Sequence, residues 1–285
     1  MSGTLYLVAT PIGNLEDITL RALRILRDEA ATIACEDTRQ TQKLLDHYQI
    51  KKPLISYHEH NETSRTAEIL ERLERGESIA LVSDAGTPLV SDPGYRAVKA
   101  AIEQGFDIVP LPGPSAALAA LAASGLPTNE FRFIGFLPSK TGARRKALLE
   151  MLHAPGTVVA YESPHRILDT LGEMAEILGE GPMVLAREIT KVHEEFLRGS
   201  AASIREQLEK RASVKGEITL VIGRPEKIAN SISDPLAEVF RLEAEQGLDR
   251  MEAVKAVAKQ LGVPKREVYR LAAERGNNPK RKNRN

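Results

Sequence analysis

Val82-Ser83-Asp84-Ala85-Gly86-Thr87-Pro88-Leu89-Val90-Ser91-Asp92-Pro93-Gly94 decides the fold. The run Ser78-Ile79-Ala80-Leu81-Val82 before it reads as a fully buried strand. After it a helix is expected, with Asp92 as N-cap, Pro93 in the first turn, and Tyr95, Val98 and Ile102 on one face. Between strand and helix lie Gly, Pro, Ser, Thr and Asp, more residues than a plain strand-to-helix turn needs. Such a segment offers backbone N–H groups and short oxygen-bearing side chains at the end of a sheet strand, where ligands bind in open α/β folds.

Working outward, the N-terminal half alternates strands with helices. Strands are expected at Thr4 to Ala9, Ala31 to Cys35, Leu54 to Tyr57 and Asp107 to Leu111. The helix after the first strand is expected to bury Ile18, Leu20, Leu23, Ile25 and Leu26. Polar groups follow each strand: Thr10 to Asp17, Glu36-Asp37-Thr38-Arg39, His58-Glu59-His60-Asn61 and Pro112-Gly113-Pro114-Ser115-Ala116. This alternation argues for a mostly parallel sheet covered by helices on both faces. Gly13 stands alone after the first strand and no Gly-rich phosphate loop occurs, so a ligand without a pyrophosphate is expected.

Ser124-Gly125-Leu126-Pro127-Thr128-Asn129 reads as a linker, which divides the chain into α/β units over 1–123 and 124–229. In the second unit, strands are expected at Phe131 to Leu137, Thr157 to Ala160, Met183 to Ile189, Glu194 to Arg198 and within 215–223. Two of them follow each other without a helix, which predicts a mixed sheet. Residues 230–285 read as helices alone, and 253–269 has the ingredients of a helix-turn-helix.

Composition narrows the function. The 285 residues carry 39 basic and 39 acidic side chains, yet residues 264–285 hold eight Lys or Arg against Glu267 and Glu274. A basic tail on an acidic body points to nucleic acid, the alternative being a solvated terminus. The single cysteine, Cys35, excludes an internal disulfide and a Cys-cluster metal site. No apolar run reaches the roughly 20 residues of a membrane-spanning helix, and the early first strand leaves no room for a signal peptide. A cytoplasmic enzyme without membrane or metal is the expectation. His58 and His60 lack an evident third ligand, and are expected to line a substrate cleft or satisfy local hydrogen bonds.

Seven motifs in order carry a resemblance: Leu7 to Asp17, Ala34 to Arg39, the 82–94 loop, Leu111 to Ala116, Tyr161 to Arg166, Ala186 to Lys191 and Lys215-Gly216-Glu217. Through them residues 4–275 resemble the tetrapyrrole-methylase-like (class III) methyltransferases, and within that family the branch that methylates ribose on 16S ribosomal RNA. The resemblance implies two α/β domains with S-adenosylmethionine in the cleft between them, a helix-turn-helix-like helical extension, and a homodimer. It implies 2′-O-methylation of a cytidine in the decoding region of 16S ribosomal RNA, with the small ribosomal subunit as partner. Where the family's tetrapyrrole enzymes carry Gly-Asp-Pro, this chain reads Gly86-Thr87-Pro88, which agrees with an RNA substrate. A small-molecule, tetrapyrrole-type methyltransferase and a non-catalytic RNA-binding protein are the alternatives.

Cofactor contacts implied by the resemblance are Pro11, Asp84, Gly86, Thr87, Val90, Ser91, Ser115, Ala116, Tyr161, Ala186, Gly216 and Glu217. On the substrate side stand Asp37, Arg39, Arg187, Glu188 and Lys191, with Asp37 the candidate base. Several have a second reading. Asp37 suits a helix N-cap, Tyr161 suits a core position, and Arg39, Arg187 and Lys191 suit either RNA phosphates or pairs with Glu36 and Glu188.

Overall fold

The computed structural model describes residues 2–153, 155–224, 235–261 and 264–269. Five parallel strands build the first sheet: β1 (Thr4–Val8), β2 (Thr32–Cys35), β3 (Leu54–Ser56), β4 (Ile79–Val82) and β5 (Asp107–Leu111). Their order is β3-β2-β4-β1-β5. The chain leaves β1 toward β2 and leaves β4 toward β5, so the loops after the adjacent strands β1 and β4 diverge and open a crevice. Strands β2 and β4 are buried along their whole length, as parallel strands covered on both faces must be.

Helices α1 (Leu20–Arg24), continued by a π turn over Ile25–Glu29, and α2 (Thr38–His47) cover one face of this sheet. Helices α3 (Glu62–Glu74) and α4 (Tyr95–Glu103) cover the other. Two expected faces are corrected. Leu20 is 86% exposed, because Ile18, Ala22, Ile25 and Leu26 make the inward stripe and a residue two positions from Ile18 points away from it. In α4 the buried residues are Ala97 and Ala101, which let the helix lie close to the sheet, while Tyr95 and Ile102 stay exposed. The N-cap of α4 is Gly94, not Asp92. Gly94 has φ 136°, its N–H donates to Glu62 Oε1 at 3.1 Å, and a Cβ there would lie 2.9 Å from Leu81.

The second sheet is mixed, in the order β6-β7-β10-β8-β9. It comprises β6 (Phe131–Phe136), β7 (Thr157–Glu162), β8 (Met183–Arg187), β9 (Glu195–Gly199) and β10 (Ile218–Ile222). Only β6 and β7 pair in parallel; β8 and β9 form the expected antiparallel pair. Helices α6 (Thr141–His153), α7 (Ile167–Leu178) and α8 (Ala201–Glu209) pack on one face. The other face is covered by α5 (Ala116–Ser124), through Ala117, Ala120 and Leu121 against Val159, Val184, Ala186 and Val221. The boundary expected after residue 123 therefore cuts through a helix that follows the first sheet in sequence but packs on the second.

Helices α9 (Pro235–Gln246) and α10 (Arg250–Leu261) share a small core with Val268, which lies in a helical stretch at 265–269. Asp249 caps α10, its Oδ1 accepting the Glu252 N–H at 2.8 Å. Gly262 and Val263, within the expected helix-turn-helix, the segment 225–234 and the basic tail beyond residue 269 lie outside the described residues.

Candidate active site

The loops after β1 and β4 are laced together at the crevice. Thr10 and Gly86 exchange two backbone hydrogen bonds of 2.9 Å. The Thr10 hydroxyl donates to the Ser83 carbonyl, and the Ser83 hydroxyl to the Gly86 carbonyl, both at 2.9 Å. These buried hydroxyls use polar groups the loop would otherwise leave unpaired. Beyond them the backbone is strained: Leu89 and Ser91 take φ of 70° and 69°. Across the cleft Glu188 and Thr190 do the same, at 52° and 69°. Among the described non-glycine residues only Gln49 shares this conformation away from the cleft, and such strain, about 1–3 kcal/mol each, concentrates at functional sites.

A cleft of about 350 Å³ opens between the sheets, within the size range of small-molecule sites. From the first domain Gly86, Thr87, Val90 and Ser91 line it, with Ser115 and Ala116 at the start of α5. From the second come Tyr161, Gly216 and Glu217. Nine of the twelve expected cofactor contacts thus meet in one cavity. Tyr161 is half-buried, packs edge-on against Phe133 and Phe136, and also lines the cavity. Ala186 does not reach the cavity: it is fully buried in β8, paired with Thr219, which does line it. Pro11 and Asp84 line a second cavity of about 550 Å³, which shares Ile12, Ala85 and Glu217 with the first.

Asp92 was not among the expected contacts, yet it lines the first cavity. Burial, with Glu36 and Asp84 nearby, pushes its carboxyl up to about 6 against the pull of the Ser83 hydroxyl. Its mark in the sequence is a carboxylate in the same loop as the other contacts, obscured because Asp before Pro also reads as a cap. Phe136 and Glu162 also border the cavity. A register break between Phe133 and Phe136 in β6 aims Phe136 there, which alternation cannot reveal.

The substrate-side residues fall into three groups. Asp37 is the N-cap of α2 and accepts from the Arg39 N–H at 2.8 Å. It also pairs with the Arg39 guanidinium through two side-chain bonds of 3.0 and 2.7 Å, which hold its carboxyl at about 2. Arg39 thus pairs with Asp37, not Glu36, and leaves its side chain 86% exposed. Lys191 lies in the second cavity and bridges Glu188 Oε1 at 2.8 Å and Glu217 Oε2 at 3.1 Å. Burial pulls its ammonium down, but the two carboxylates outweigh this and hold it above its ordinary value. Glu188, lowered by Lys191 and by the Glu217 N–H, belongs to the same bridge. Arg187 stands apart: it pairs with Glu195, not Glu188, and donates to the carbonyls of Lys215 and His193 at 3.0 and 3.2 Å. Arg211 and Arg187 together hold Glu195 at about 2, so Arg187 fixes the loops that carry Glu188 and Gly216.

His58 lines neither cavity; its ring Nε2 lies 3.1 Å from Asn61 Nδ2 and its N–H donates to Asn61 Oδ1. Among the described residues no group of three His, Cys, Asp or Glu is placed to hold a metal ion.

This fold and cleft define a class. The chain belongs to the tetrapyrrole (corrin/porphyrin) methylase family, whose model matches residues 4–205. It is similar to the ribosomal RNA small subunit methyltransferase I of Halalkalibacterium halodurans, at 48% identity over 92% of this chain and 91% of that one. The protein of the same name from Haemophilus influenzae is 46% identical over 92% and 93%. Among solved structures, uroporphyrin-III C-methyltransferase of Thermus thermophilus complexed with S-adenosyl homocysteine shares the fold. It matches with a TM-score of 0.54 and 18% identity, covering 79% of this chain and 100% of that one.

Proposed function

We propose that the protein transfers the methyl group of S-adenosylmethionine to the ribose 2′-hydroxyl of a cytidine in the decoding region of 16S ribosomal RNA. The observation that carries this reading is the joint cleft, built from the 82–94 loop and the 215–217 turn, in a chain 44–49% identical to small-subunit RNA methyltransferases. The residues present fit the cofactor. Backbone-rich loops and the Asp92 carboxylate suit a zwitterion with ribose hydroxyls, and no phosphate nest is built.

The second cavity is the acceptor side. Arg39 lines a neighbouring depression that shares Lys43 with this cavity, and there it meets an RNA phosphate, held in place by Asp37, whose paired carboxylate is a weak base. Lys191 and Glu217 form the opposite wall, Glu188 braces Lys191 from behind, and Arg187 keeps that wall in position. When bound, S-adenosylmethionine supplies an activated methyl for in-line displacement. Alignment of acceptor and methyl contributes up to about 7–11 kcal/mol. The helical extension, with exposed Lys255, Lys265 and Arg266, adds contacts to the ribosomal substrate. Tyr95 and Ile102, seven residues apart on the exposed side of α4, supply an apolar surface for a homodimer. Among the described residues no helix is long and apolar enough to cross a membrane, and the ribosomal substrate sets the work in the cytoplasm.

The test is incubation with labelled S-adenosylmethionine and, separately, small ribosomal subunits, naked 16S RNA and uroporphyrinogen, followed by mapping of the label. One 2′-O-methylated cytidine is expected. Transfer to uroporphyrinogen instead, or none to RNA, overturns the reading.

A further inference from the structure

The second cavity contains two carboxylates, Asp84 and Glu217. Glu217 carries the Lys191 ammonium at 3.1 Å. Asp84 has no ion-pair partner among the described residues; its Oδ1 accepts one hydrogen bond, from the Asp37 N–H at 3.0 Å. That bond fixes the carboxylate relative to the N-terminus of α2 without neutralising it. The nearby Asp37 carboxylate, by contrast, is consumed by Arg39 and by its own helix. Position singles out Asp84 further. Its neighbour Ala85 borders both cavities, whereas Asp84 borders only the second. The cavities meet at Ile12, Ala85 and Glu217, so a hydroxyl that reaches from the second cavity toward a methyl in the first passes between Glu217, which Lys191 holds, and Ala85, beside Asp84.

From this geometry we propose that Asp84 is a catalytic residue that accepts the proton of the acceptor hydroxyl, and is not a cofactor contact. The inference rests on the function proposed above. In the step, the oxygen–methyl bond forms as the sulfur–methyl bond breaks and the electron pair stays on sulfur. The hydroxyl proton passes to Asp84 and from there to water. Asp37 contributes its backbone N–H, which holds Asp84 in place, and its side chain serves Arg39.

The test uses Asp84→Asn, which retains an acceptor for the Asp37 N–H. Calorimetry with S-adenosylhomocysteine should give an affinity within threefold of wild type. Single-turnover methyl transfer to small subunits should fall by about 10²–10⁴-fold, the range for loss of a general base. A second readout avoids chemistry altogether. A decoding-region RNA fragment should bind wild type more tightly than the same fragment with 2′-deoxycytidine at the target, and Asp84→Ala should erase that preference while still binding S-adenosylhomocysteine. Turnover of Asp84→Asn within threefold of wild type overturns the inference. So does a cofactor affinity that falls in step with the rate, or an undiminished preference in Asp84→Ala. If wild type itself methylates no RNA, the functional reading fails; if wild type is active and the variants behave like it, only the role of Asp84 fails.

Discussion

The two sheets feed the cleft by different routes. In the first domain every contributing residue lies just beyond the C-terminal end of a parallel strand, where the order β3-β2-β4-β1-β5 forces loops apart. In the second, Tyr161 and Glu162 close β7, Ile218 and Thr219 open β10, and these strands are antiparallel neighbours. One end of that antiparallel pair therefore offers the last residues of one strand and the first of the next. The first domain presents loop backbone laced by hydrogen bonds, and the second presents a wall fixed by sheet register. A ligand held between them is gripped on one side by backbone and on the other by side chains already locked in place.

The largest test of this contrast is to fill the loop side. Thr87→Arg places a long cation in the first cavity, and Gly86→Val imposes a β-branched residue where φ is 86°. Both should abolish S-adenosylhomocysteine binding in calorimetry while circular dichroism stays native, because the two sheet cores are elsewhere. On the wall side, Glu162 has a fully buried side chain that pairs with Arg166 at 2.6 Å and accepts from the Thr170 hydroxyl at 2.8 Å. Glu162→Ala leaves the Thr170 hydroxyl without its acceptor and Arg166 with only the Leu137 carbonyl at 3.4 Å, and should cost about 3–5 kcal/mol in denaturant unfolding. Loop substitutions lose ligand without losing stability; this one should lose stability first.

Asp92 sharpens the comparison, because it lines the cleft at a cost to folding. Its carboxyl rises from 3.8 to about 6 in the folded protein, so the folded state binds more protons and stability falls as pH climbs through that window. Asp92→Asn should therefore stabilise the unliganded protein at pH 7 by about 1–3 kcal/mol. The same substitution should weaken S-adenosylhomocysteine binding. Wild-type affinity should drop as pH falls below about 6, and the variant should show no such step. The smallest effect on the cleft is expected from a chain ending at Ile228, which should bind cofactor normally. It should bind small subunits more weakly, with the log–log salt dependence reduced by roughly 0.7 for each lost phosphate contact on single strands.

How much was legible follows the same division. The five first-domain strands and the 82–94 loop stand out because parallel strands are short apolar runs and their loops are rich in Gly, Pro and Asp. Asp92 was misread because Asp-Pro before a helix has two physical uses, and only the close approach of Leu81 to Gly94 decides which residue caps α4. The roles of Leu20, Tyr95 and Ile102 depend on how each helix is rolled against the sheet, and periodicity alone leaves that rotation open when small alanines form the true contact. On the wall side, Gly216 and Glu217 were recognised by family resemblance alone. Thr219, Glu162 and Phe136 enter through strand register and a bulge, which are properties of pairing between distant segments. The partner exchange of Arg187 from Glu188 to Glu195 has the same origin, since β8 and β9 bring Arg187 opposite Glu195.

The central claim is that both sheets hold the cofactor, and Gly216→Ala tests it most directly. Gly216 has φ 93°, and a Cβ there would meet the Glu188 carboxylate at 2.5 Å, breaking the bridge through Lys191 to Glu217 without touching the 82–94 loop. Titration of S-adenosylhomocysteine into this variant should show an affinity at least tenfold below wild type, with the native circular dichroism spectrum retained. Wild-type affinity in Gly216→Ala would contradict a shared site and confine the cofactor to the first domain.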